Sequence, residues 1–137
     1  MKAALFVILG TVAGMALAFV CAIAVEGYSA VVHPIPADFD GSMDQMCAHV
    51  ARYPHWVLAT VVPLWAGTAF AAARVARMIG RVVASLLVAT MLFIAVAANV
   101  AMLPYPAWFK IVCVAAVFAA LYGAVGPLRS PPITSAP

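Results

Sequence analysis

The chain has 137 residues, of which 68% are hydrophobic and 8% charged, with a formal net charge of +3. Charged residues make up about 25% of a typical globular domain, so this composition excludes a soluble monomer. The basic residues sit at the ends of apolar runs rather than in one patch, which excludes a nucleic-acid partner.

The apolar runs Ala3 to Val25, Trp56 to Ala73, Val82 to Leu103 and Ala107 to Leu128 fill most of the chain. Each is about as long as the ~20 residues a helix needs to cross ~30 Å of hydrocarbon. The first and third contain no Asp, Glu, Lys or Arg, and the fourth only Lys110. None has the polar stripe that a soluble amphipathic helix repeats every three to four residues. The predicted fold is an all-α membrane protein, an up-down four-helix transmembrane bundle with a short interfacial helix in the first outer loop. Spans are expected at about 3–32, 55–76, 82–103 and 107–128 in a single transmembrane domain, with the outer loop and its helix over 33–54.

The run to Val25 exceeds the ~7–15-residue apolar core of a secretory signal, so retention as the first span is expected. Within it Gly10 and Gly14 form a GxxxG step, with Ala18 one turn on. Small residues at this spacing let two backbones approach closely where lipid supplies no hydrophobic drive. Packing inside the same chain is the expected use of this face, and a homo-oligomer seam is the other.

At ~100° per residue, Glu26, Ser29 and His33 share one side of the first helix, on a different surface from Gly10. Glu26 is the one acid within helical reach of the membrane core, where ionisable groups are costly and point to function. Asn99, one turn below the end of the third span, lies at the same depth, and Arg52 and Lys110 are the nearest cations. Glu26, Ser29, His33, Asn99 and Arg52 therefore form the candidate polar site. Such a set can bind a cation, pass a proton or hold a polar head group. In the structural alternative, Glu26 pairs with Arg52 or Lys110 and pins the outer loop.

Pro34 disfavours helix in the residue before it, so the first helix should end at His33 and an extended segment follow. Ser42 with Gln45 three residues later has the capping-box pattern. Met43, Met46, Cys47 and Val50 form the apolar face of the short helix that follows, with Gln45, His49 and Arg52 expected to face water. Met43, Met46, Cys47, His49 and His55 are soft donors without a fixed ligand spacing, so no metal is expected. Asp38 and Asp40 beside Gly41 are too few for a calcium loop. Cys21, Cys47 and Cys113 form no C-x-x-C pair, which argues against a disulfide-exchange enzyme. No nucleophile–base pair, phosphate-binding Gly loop or haem motif appears, and no cofactor is expected.

The second span opens at Tyr53-Pro54-His55-Trp56 and carries Pro63, where a kink is expected. Arg74 to Arg81 reads as a tight basic turn and Pro104-Tyr105-Pro106 as a short link, which together force antiparallel order. Lys2, Arg74, Arg77, Arg81 and Arg129 fall at one set of span ends, which therefore read as cytoplasmic. All four acids fall at the other. Both termini are expected in the cytoplasm, with the chain a multi-pass protein of the cell inner membrane.

The run Glu26 to Pro36, with Pro104-Tyr105-Pro106-Ala107-Trp108-Phe109, resembles a group of small bacterial four-span inner-membrane proteins. These share an acid near the end of the first span, a Pro-x-Pro after it and a Pro-x-Trp-Phe opening the last span. The resemblance implies a topology and no mechanism. The leading expectation for function is a non-enzymatic accessory or assembly factor that acts through helix packing with a partner membrane protein or a second copy, within the lipid bilayer. A small-solute or ion carrier, proton-coupled through Glu26, is the second. An enzyme acting on a lipid or quinone head group at the outer face is the third.

Overall fold

The computed structural model describes residues 2–126. Arg129 and the end of the fourth predicted span, residues 127–128, lie outside the described residues. Among the described residues the chain is all-helical, with α1 (Lys2–Val32), α2 (Met43–Ala51), α3 (His55–Met102) and α4 (Ala107–Val125). The helices α1, α3 and α4 are long and apolar enough to cross a membrane.

The first helix ends where proline chemistry requires it. The backbone N–H of His33 donates to the Ser29 carbonyl at 2.8 Å, and Pro34 cannot continue the pattern. Ser42 caps α2, its hydroxyl accepting from the Gln45 backbone N–H at 3.3 Å. The expected reciprocal bond goes elsewhere. Gln45 Oε1 accepts from the Asp40 N–H at 2.8 Å, and Asp40 Oδ1 accepts from the Ser42 N–H at 2.7 Å. That second bond holds the Asp40 carboxyl below its ordinary pKa by favouring the charged form.

Straight, the 48 residues of α3 would extend ~72 Å, more than twice a hydrocarbon core. The helix is broken at Arg81, with φ 61° and ψ −159°. Across the break the Ser85 hydroxyl donates to the Ala73 carbonyl at 2.8 Å. In an unbroken helix those residues would stand ~18 Å apart, so the arms 55–80 and 82–102 fold back side by side. The turn expected over 74–81 thus shrinks to one residue. Residues 74–79 include no helix breaker, so the helix runs on until Gly80 and Arg81. Pro63 stays within helical geometry.

The helix α1 runs antiparallel to the first arm, with Gly10 against Gly80 and Ala76, and Tyr28 Oη 2.9 Å from Thr60 Oγ1. The second arm and α4 run antiparallel, with Phe93 and Phe118 6.0 Å apart. Arg74 Nη1 donates to the Ala124 carbonyl at 3.4 Å, and Arg77 Nη1 donates to the Val125 carbonyl. These guanidinium groups satisfy C-terminal carbonyls that a helix end leaves unpaired.

Core side chains grade from one end to the other. Near Arg81 they are small: Ala72, Ala73, Ala76, Ala84 and Ser85 are all fully buried. A Cβ at Gly10 would lie 2.6 Å from the Gly80 nitrogen, so only glycine permits that approach. At the α2 end the fully buried residues are bulkier, including Val57, Val100 and Phe109. Small residues permit the close approach at Gly10 and Gly80, and the polar residues lie at the opposite end.

A candidate ligand-binding groove

A cavity of about 700 Å³ lies at the α2 end, between α1, α2 and the stretch 99–105. The helical repeat of α1 turns Glu26, Ser29 and His33 towards it, and Asn99 joins them from the end of α3. Ser29 is buried, while Glu26 and Asn99 are exposed at its mouth. Ile23, Ile35, Met43, Met46 and Met102 supply apolar walls. The result is a half-open groove with a polar stripe, a size and lining common to small-molecule sites.

Four of the five polar residues singled out from the sequence line this one space. Arg52 does not, and neither Arg52 nor Lys110 is among the groups acting on the Glu26 carboxyl. The pinning ion pair considered from sequence is not formed. Gly10, Gly14 and Ala18 are all buried; Gly10 and Gly14 pack against the arms of α3, and Ala18 lies beyond them towards the groove.

One expectation is overturned. His49, assigned to the water-facing side of α2, is 7% exposed and faces inward beside Val50. Its ring stacks on that of His33 at 4.4 Å and 25°, and the Tyr53 ring meets both. The physical reason is that imidazole is flat and half apolar. Stacked on a second ring, it fills a core position that a polar–apolar pattern assigns to an aliphatic residue. His33 Nε2 lies 3.4 Å from the His49 carbonyl oxygen, which accepts a hydrogen bond from the Nε2–H tautomer. Burial lowers the His49 pKa, and the neighbouring His33 and Arg52 lower it further. Met43, assigned to the apolar face, is 56% exposed at the start of α2, where it lines the groove.

Tyr53 and Tyr105 also line the groove and were not singled out from the sequence. Burial raises the pKa of each phenol, and the Glu26 charge adds to it, so both remain neutral hydroxyls able to donate. Their signal was the place of each beside proline in a link between helices, Tyr53 before Pro54 and Tyr105 between Pro104 and Pro106. Among the described residues no three His, Cys, Asp or Glu side chains converge as metal ligands.

Comparisons with protein-family models, with curated proteins and with solved structures found no match.

Proposed function

We propose that this is a four-crossing protein of the cell inner membrane that binds a membrane-borne small molecule in the groove without transforming it. The two arms of α3 each have enough residues for one crossing, which with α1 and α4 makes four. In this reading α2 lies at the outer interface. Lys2, Arg74, Arg77 and Arg81 share the Arg81 end and all four acids share the α2 end, which supports a cytoplasmic Arg81 turn and cytoplasmic termini.

The observation that carries the binding role is the groove itself, where Glu26, Ser29, His33 and Asn99 line a cavity that no cationic side chain closes. Binding is favoured over passage by the other half of the molecule. There Ala72, Ala76, Ala84 and Val88 are fully buried, which supports close packing of the helices in that half. The role remains an accessory one. The small-residue face of α1 is already occupied by α3, so a protein partner would engage another surface.

Native mass spectrometry of the protein released from lipid nanodiscs tests this. Wild type should retain a small-molecule adduct, and Ala30→Trp, which fills the groove from its exposed wall, should lose it. Identical adduct patterns in two equally folded proteins would overturn the binding role.

A further inference from the structure

We propose that the groove is the head-group end of a longer lateral cleft, and that its occupant is an amphiphile with a protonated amine head and one long apolar chain. This rests on the binding role proposed above and names the chemistry of the ligand.

Asn99 borders two spaces, the groove and a second cavity of about 220 Å³ nearer mid-helix. The second is lined by Ala18 and Ala22 of α1, by Trp65 of the first arm, and by Leu92 and Val96 of the second. Two facing stripes join the spaces. On α1, Ala18, Ala22, Glu26, Ser29 and His33 follow at steps of three or four. On α3 and its C-cap, Leu92, Val96, Asn99 and Leu103 do the same. From Ala18 to His33 the cleft extends ~22 Å along α1.

Polarity changes along this length. The end near His33 carries a carboxylate, hydroxyls, imidazoles and an amide. The end near Ala18 offers alanine methyls, Leu92, Val96 and the Trp65 ring. A molecule matched to both ends has a polar head and an apolar tail aligned with the lipid chains, and it can enter sideways from the bilayer.

Charge selects the head. Glu26 is the one carboxylate lining either cavity, and no Lys or Arg lines them. Burial holds the His49 imidazole, stacked 4.4 Å from the His33 ring, below its usual range, so it adds no fixed positive charge. A phosphate or carboxylate head would therefore meet Glu26 without a compensating cation. An ammonium finds a counter-ion in Glu26 and acceptors in the Asn99 carbonyl and the Ser29 hydroxyl.

Trp65 provides the readout. In a full-length Trp56→Phe/Trp108→Phe background it is the sole tryptophan, and a brominated chain in the cleft quenches it. The probes are a brominated long-chain amine, alcohol and carboxylic acid of equal chain length, added to the protein in detergent. The amine should quench saturably, be displaced by its unbrominated form, and bind at least about ten-fold tighter than the alcohol, with the acid weakest. Glu26→Gln should bring the amine to the level of the alcohol. Ala22→Leu, which fills the chain end, should weaken all three alike. Saturable quenching in which alcohol or acid matches the amine would overturn the head-group assignment and leave groove binding standing. Unsaturable quenching by all three would overturn both. The comparison of head groups needs no change at Glu26, so it decides the matter even if Glu26→Gln fails to fold.

Discussion

Replacing Gly10 by alanine isolates the contact that holds α1 against α3. The added Cβ would lie 2.6 Å from the Gly80 nitrogen, 2.8 Å from the Ala76 carbonyl oxygen and 2.8 Å from the Gly80 Cα. All three are backbone atoms, so no side chain can swing aside. The helices must separate by roughly 1 Å before the contact becomes ordinary, and the buried alanines below lose packing as they do. Overpacking of this kind costs about 1–3 kcal/mol. Against it stands a helix-propensity gain of up to about 1 kcal/mol for Gly→Ala. Gly67→Ala is the matched control, because a Cβ there meets nothing within 4 Å and only the propensity gain remains. Gly67→Ala should therefore be neutral or stabilising, and Gly10→Ala should fall below it by about 1–3 kcal/mol, the overlap itself. Reversible unfolding in mixed micelles, followed by circular dichroism, gives both values. Equal stability of the two variants would refute close packing at Gly10 and the α1–α3 arrangement built on it.

Three further outcomes follow from other parts of the structure. Arg81 holds a backbone conformation that side-chain-bearing residues rarely adopt, so Arg81→Gly should raise stability by about 1–2 kcal/mol in the same unfolding assay; a loss would mean that the turn is elsewhere. Because His49 takes up its proton less readily folded than unfolded, stability should be full above about pH 6.5 and decline as pH falls below it. His49→Phe, which keeps a ring beside His33 and Tyr53, should flatten that decline, and a Tm that is equally pH-dependent in the variant would assign it to another group. For topology, Asp40→Cys should react with an impermeant thiol reagent in intact cells and the exposed Met78→Cys should not, in a background lacking the native cysteines; the opposite pattern would invert the proposed orientation.

What the sequence made legible was whatever a single helix decides for itself. The end of α1 follows from the ring of Pro34, the start of α2 from the Ser42 hydroxyl, and the sharing of one side by Glu26, Ser29 and His33 from the helical repeat. Features that depend on a second element were not. The bend falls at Arg81 rather than across 74–81 because Gly80 must meet α1 at Phe6 and Val7, a contact invisible in a local window. His49 is inward because His33, sixteen residues away, offers a ring to stack on. Arg74 and Arg77 looked like solvent-facing turn charges, yet both reach carbonyls at the end of α4.

Those two arginines also bear on how the molecule is assembled. The helix α4 is synthesised after α1, α2 and α3, and α3 alone of these packs against it. The unit formed by α1 and the folded α3 can therefore close first, around Gly10 and Gly80. The last helix then arrives to find two guanidinium groups at the height of its own final turn. Residues 124 and 125 can accept from them only when α4 lies in its final register and direction against α3. Short of that, its terminal carbonyls lack these partners. The pair thus works as a register stop, fixing how far α4 can slide along α3.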